Sequence, residues 1–263
     1  MAAASMSEGS SLATYQSIVA YDGTLFEGFQ RQSEGHRTVQ GVLESALRQI
    51  GWLGRAVKAA GRTDTGVHAE GQVIAYQFDW EHSTQELSAA LNANLPGDVA
   101  VRESEKVPEG FHPRFDAISR RYRYSIFIDA VRNPLKERYA WRLAEELDEE
   151  TLSAAASVFE GEHDFAAFGR PPRETSSTVR VVQACRWITE GSRLELHIEA
   201  NAFLYHMVRH ITAALVDAGQ GVVQASELQE LLEDPTQRRQ GRLAPAAGLC
   251  LVGVTYPQDL QSG

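Results

Sequence analysis

The stretch from Arg55 to Trp80, RAVKAAGRTDTGVHAEGQVIAYQFDW, organises the reading of the whole chain. Its flanks, Arg55 to Ala60 and Gln72 to Trp80, read as two strands. Between them lies Gly61-Arg62-Thr63-Asp64-Thr65-Gly66-Val67-His68-Ala69. Gly61 and Gly66 accept backbone angles that other residues resist, so this connection can turn sharply. That would present Asp64 at a cleft with Arg62 two positions away. A neighbouring cation lowers a carboxylate's pKa and keeps it ionised. An ionised, positioned carboxylate serves as nucleophile or base. The same residues also fit an Asx-type turn, with Thr63 and Asp64 bonding local amides. On spacing alone the turn is the preferred reading.

Outward from this stretch the pattern alternates strands and helices. Tyr15 to Tyr21 reads as a strand ended by the turn signal Asp22-Gly23. Thr38 caps a helix with Val39, Val42, Leu43, Ala46, Leu47 and Ile50 on one face. Thr84 to Ala93 reads as a second helix, broken by Asn94-Leu95-Pro96-Gly97-Asp98, with Val99 onward extended. The second half repeats the grammar. Arg121 to Ile128 alternates like a half-buried strand. Asp148 caps a helix with Leu152, Ala155, Ala156 and Phe159 inward and Gly161 as its stop. Val179 to Thr189 and Leu194 to Ala200 form a hairpin around Glu190-Gly191-Ser192. Ala202 to Ala218 is a helix, Ser226 caps another closed by Asp234-Pro235, and Leu249 to Tyr256 is a last strand. The fold class expected is α+β: two related subdomains sharing a largely antiparallel sheet, with helices packed on one side and a central cleft. The halves are expected at 13–115 and 116–257, between a flexible tail at 1–12 and a short one at 258–263.

Net charge is −10 and the sequence pI about 5.3. A nucleic-acid binder is expected to carry a basic footprint, so the sum alone argues against RNA. Distribution matters more than the sum. Acid concentrates in Glu145 to Glu150 and Glu227 to Asp234, base in Arg114 to Arg123, Arg170 to Arg186 and Arg238 to Arg242. No apolar run is long enough to span a bilayer. Cys185 and Cys250, the only cysteines, sit 65 positions apart in apolar contexts and read as buried free thiols. A cytoplasmic protein is expected.

GRTDTGVHA resembles the catalytic loop of the TruA-type family of tRNA pseudouridine synthases. Further family-like segments are Tyr21-Asp22-Gly23, Gly28 to Gln32, Thr38-Val39-Gln40, Asn92 to Pro96, Phe111 to Phe115, Arg120 to Tyr124, Asn201 to Arg209 and Ala247-Gly248-Leu249. They keep the family's order over residues 15 to 257. Departures are Ala213-Ala214 where the family often has glycine, Cys250 for a usual tyrosine, and the stretch Glu174 to Thr178.

The resemblance implies isomerisation of uridine to pseudouridine at positions 38, 39 and 40 of the tRNA anticodon stem-loop, without metal or organic cofactor, by a homodimer with one tRNA spanning both subunits. Asp64 would attack the sugar C1′ or take a proton from C2′. Arg209 matches the arginine that pairs with the aspartate, with a bidentate guanidinium expected. Tyr122 matches the tyrosine that stacks on the target base, and Leu249 an apolar pocket residue. The residues alone also allow a solvent-facing Arg209, a sheet-face Tyr122 and a core Leu249. Because the target uridine must leave its helix, Arg62 is expected to steady the flipped nucleotide. Arg31, Arg114, Arg120, Arg121 and Arg123 are candidate phosphate contacts, each equally a solvated surface charge. His206 and His210, spaced i, i+4, have the spacing of some zinc sites but no third ligand, and His68 reads as a hydrogen-bonding scaffold. The rivals are a noncatalytic RNA-binding module, against which Asp64, Arg62, Tyr122 and Arg209 argue together, and a small-molecule enzyme, which the acidic pI would suit.

Overall fold

The computed structural model describes residues 12–33, 35–173 and 175–258. The expected tails therefore lie almost wholly outside the described residues, as does Glu174. Ten strands form one sheet among the described residues. They are β1 (Ala13–Tyr21), β2 (Lys58–Ala59), β3 (His68–Phe78), β4 (Val99–Val107), β5 (Ser119–Ile128), β6 (Trp141–Leu143), β7 (Gly161–Asp164), β8 (Val179–Glu190), β9 (Arg193–Ala200) and β10 (Leu249–Thr255). Their order is β4-β1-β3-β10-β5-β9-β8-β7, with β2 beside β3 and β6 beside β5. Every pairing is antiparallel except β3 with β10 and β5 with β6. The last strand of the second half thus enters between the halves and makes their sheets one. The boundary expected at 115/116 falls in the connection between β4 and β5.

The helices are α1 (Val39–Gln49), α2 (Thr84–Asn94), α3 (Pro134–Glu137), α4 (Glu149–Ser157), α5 (Met207–Gly219) and α6 (Ala225–Glu233). Strand alternation decides where the long ones pack. Tyr122 and Tyr124 of β5 stand opposite Leu251 and Leu249 of β10, so these four share a sheet face. Leu249 and Tyr124 belong to the apolar core with α4, α5 and α6, and Leu251 to the core with α1 and α2. Both helical layers therefore cover the same face, and Tyr122 touches both cores at the seam. A smaller cluster of Val73, Ala75, Phe111 and Tyr256 lies on the reverse face. α5 is the most deeply set helix, burying Met207, Val208, Ile211, Ala214, Leu215 and Ala218. Each large aliphatic buried this way contributes about 1.5–3 kcal/mol.

Several element ends differ from expectation, each for a long-range reason. The strand at Arg55 to Ala60 shrinks to Lys58–Ala59, because the Val57 N–H donates at 3.2 Å to the buried carboxylate of Glu44. β3 begins at His68 rather than Gln72, because β10 and β1 pair with its first residues. α5 begins at Met207 rather than Ala202, because Tyr205 is held extended by a β-bridge to Arg170. α6 begins two residues early: the Glu227 carboxylate accepts from the Gln224 N–H at 2.7 Å, and Ser226 falls inside the first turn. α4 ends at Ser157, and Gly161 opens β7 with a φ of +104°. The caps at Thr38 and Asp148 stand as expected, accepting from the N–H of Gly41 and Thr151. Both cysteines are buried and unbonded to each other. Among the described residues, no helix is long and apolar enough to cross a membrane.

Candidate active site

The first half pins the backbone of the 61–67 loop almost residue by residue. Gln72 donates to Gly61 O at 3.0 Å and accepts from its N–H at 3.3 Å. Thr63 Oγ1 shares a 2.7 Å hydrogen bond with the hydroxyl of buried Tyr21, and Thr63 O accepts from Phe29 N at 3.0 Å. Gly66, at φ +78°, donates to Phe26 O, and Val67 N donates to Asp64 O at 3.1 Å. Among the described residues, neither the Thr63 nor the Asp64 side chain bonds a local amide, so the Asx-turn alternative is not what forms. These bonds anchor the loop to the first half and leave the Asp64 carboxylate to reach the second.

What it reaches is the start of α5. His206 Nε2 lies 3.3 Å and Arg209 Nη1 3.7 Å from Asp64 Oδ2. The bidentate grip expected of Arg209 is not present: its Nε donates to Ala244 O at 2.7 Å, so one edge of the fork is committed to the backbone. Nor does Arg62 supply the cation beside Asp64. It is exposed, and among the described residues no hydrogen bond or ion pair holds its guanidinium. Burial pushes the Asp64 carboxyl above the usual carboxylate range, with His206 and then Arg209 opposing it. Desolvation outweighs the neighbouring cations, the reverse of the lowering expected from Arg62.

Tyr122 completes the hollow. Its ring packs edge-on against Phe203 at 5.1 Å, and its hydroxyl lies beside Gly61. Burial, then the neighbouring Tyr21 and Asp64, push its phenol well above the ordinary value, so it stays neutral. Leu249 is buried in the core, paired with Tyr124. The structure thus brings together Asp64, Arg209 and Tyr122, with Arg62 exposed on the loop itself. In the sequence His206 stands in the family-like segment Asn201 to Arg209 and at i, i+4 spacing from His210, and its closeness to Asp64 has no signal in either.

The other basic candidates separate. Arg121 and Arg123 alternate with Tyr122 on β5, so they project from the reverse face. Arg123 is bound there to Glu70 at 2.6 Å. Arg31 is paired with Glu44, whose side chain is fully buried, and so neutralises an interior charge. Arg114 is exposed. Its carbonyl, together with those of Ala60, Ala117 and Asn201, accepts from buried Arg120, which ties the loop 111–118 to the base of the catalytic loop. Arg120 is therefore a brace rather than a phosphate contact. Arg120→Met is expected to cost roughly 2–4 kcal/mol, since several carbonyls lose a charged donor. The check is urea unfolding, with a lower midpoint and an unchanged slope.

Asp22 clamps the halves from the other side of the sheet. Its carboxylate accepts from Arg138 at 2.7 Å, Tyr139 at 2.9 Å and Thr24. Burial would raise its pKa, but these hydrogen bonds outweigh burial and pull it down. His68 accepts the Gly23 N–H at 3.0 Å, a scaffold contact on that face. A cavity of about 380 Å³ opens there beside Asp22, His68, Glu70 and Arg123. Its carboxylates are already paired, and it lies across the sheet from Asp64.

The tRNA pseudouridine synthase family profile matches residues 18–116 and 155–257. These segments include Arg62, Asp64, Arg209 and Leu249; Tyr122 falls between them. The chain is 42% identical to tRNA pseudouridine synthase A of Geobacter sp. (strain M21), over 92% of this chain and 98% of that protein. It is 41% identical to tRNA pseudouridine synthase A of Thermotoga neapolitana, over 91% and 98%. Against tRNA pseudouridine synthase A of Bacillus subtilis (strain 168) the identity is 37%, over 90% and 97%. This chain belongs to the tRNA pseudouridine synthase family.

Proposed function

We propose that the protein isomerises uridine to pseudouridine in the anticodon stem-loop of tRNA, at positions 38, 39 and 40, with Asp64 as the reacting group. The observation that carries this reading is the placement of one half-buried carboxylate. It is fixed by the first half, faced by Arg209 and His206 of the second, and set beside a neutral, half-buried tyrosine. The reaction breaks the bond from C1′ to N1, turns the base, and joins C1′ to C5. The proton on C5 is lost and N1 gains one, so no atom or electron is added. Asp64 attacks C1′ or removes the C2′ proton, and in both routes its charge stabilises the positive sugar. Tyr122 offers a flat face for the turning base. Arg62 and Arg114, both exposed, serve the flipped nucleotide and the phosphates. Exposed cations near the site attract RNA despite a net charge of −10. We further propose a cytoplasmic homodimer with one tRNA spanning both subunits.

The test uses tRNA tritiated at uracil C5. The native protein is expected to release that tritium to water and to leave pseudouridine in the anticodon arm. Tight tRNA binding without release would instead leave an RNA-binding module.

A further inference from the structure

We infer that His206 is a positioning residue for Asp64: its left-handed backbone sets the imidazole Nε2 against Asp64 Oδ2 and leaves Oδ1 to the sugar. The inference rests on the reading of Asp64 as the reacting group.

Among the described residues, His206 is the single non-glycine residue with positive φ, at +64°. A side chain with a Cβ resists this conformation, and it persists only where the surroundings impose it. Here they do. Tyr205 exchanges backbone hydrogen bonds with Arg170 at 2.9 and 3.3 Å, which holds it extended. A Cβ on Gly169 would lie 2.6 Å from Leu204, so the chain at Gly169 packs directly against the segment. One residue later α5 has begun, with Met207 N donating to Leu204 O. His206 alone must turn the chain from strand to helix, and glycine or asparagine would do so more cheaply. The imidazole gives the helix nothing in return, since no side-chain hydrogen bond from His206 caps α5. Its contacts are the face of Tyr205, stacked at 3.7 Å, and Asp64 Oδ2 at 3.3 Å. Arg209 stands farther from the same oxygen, at 3.7 Å, with its Nε already bonded to Ala244 O.

The groups that bear on this imidazole are Asp64 from the loop, Arg170 from the segment before β8, and Arg209 and His210 from α5. Burial lowers the His206 pKa, Asp64 opposes this, and Arg209 and Arg170 add to the lowering. Its imidazole Nε2 faces Asp64 Oδ2 at 3.3 Å. It is also the strongest of the charges that offset the upward push of burial on Asp64. Without His206 the Asp64 pKa rises further. Activity that needs the carboxylate is lost as pH falls through that pKa, so the acid limb of the rate profile moves to higher pH.

Three variants test this on full-length protein and tritiated tRNA. His206→Gly and His206→Asn suit the left-handed backbone but cannot reach Asp64. Both are expected to melt at or above the native temperature and to keep the native KM. Their kcat should fall about tenfold or more, the loss expected when the nearer of the two partners facing a reacting carboxylate is removed. Their acid limb should shift upward in pH. His206→Gln, with a donor of similar reach, is expected to recover part of both losses. Native kcat and an unmoved acid limb in the glycine and asparagine variants would overturn the inference. So would a fall in kcat that tracks a fall in melting temperature with no shift of the limb. Asp64→Asn separates the two questions: continued tritium release by that variant removes the reading of Asp64, whatever the histidine variants do.

Discussion

Asp64→Asn is expected to lower tritium release by on the order of 10⁴-fold or more, the scale seen when a reacting group is removed from a catalytic unit. Asparagine has nearly the same shape, so the 61–67 loop keeps its bonds to Tyr21, Phe29 and Gln72. What disappears is the charge. His206 and Arg209, 3.3 and 3.7 Å from Oδ2, would then face a neutral amide that can neither attack C1′ nor take a proton from C2′. Folding should not suffer, because burial already disfavours the ionised form of Asp64. The melting temperature is expected to stay the same or rise slightly. Release within tenfold of native, at equal folded concentration, would refute the assignment.

Gly23→Ala is expected to have the next largest effect, although Gly23 touches neither Asp64 nor any proposed substrate group. A Cβ built there falls inside the carbonyl group of Val67 and 3.1 Å from the Gly66 carbonyl carbon. These are backbone atoms, so no side chain can swing aside. Val67 is buried in the second-half core and cannot retreat, and Gly23 N is bonded to His68. The loop must shift as a body, and Asp64 with it. A displacement near 1 Å is enough to cost roughly 10²-fold in rate. Overpacking adds about 1–3 kcal/mol of lost stability. The measurements are kcat on tritiated tRNA and the urea midpoint. A variant with native kcat would show that the approach of the Asp22-Gly23 turn to the loop does not set the position of Asp64.

Much of this protein was legible in its residue order. Apolar periodicity located α1 and α4, and turn and breaker signals located the end of α2 and the hairpin of β8 and β9. The caps at Thr38 and Asp148 followed from their own chemistry. The α+β class and the shared sheet followed from alternating strands joined by short turns. The resemblance of nine ordered segments, the Asp64 loop among them, marked the family. Tyr122 and Arg209 entered as candidates by that resemblance alone, since a tyrosine on a strand and an arginine on a helix have ordinary alternatives.

Sequence alone settled many of the local choices: most of the long strands and helices, the caps at Thr38 and Asp148, and which loop bears the carboxylate. Those choices depend on side chains within a few positions of each other. Tertiary structure decided the rest, because the groups concerned lie far apart along the chain. It set β10 between the halves and so ran β3 back to His68. It separated the arginines of one strand, sending Arg121 to the reverse face while Arg120 became a buried brace. It gave Asp64 its partners, placing His206 nearer than Arg209 and leaving Arg62 exposed. A left-handed turn at His206, forced by a β-bridge one residue before a helix, has no signature in composition or spacing. It exists only once Arg170 and Tyr205 have met.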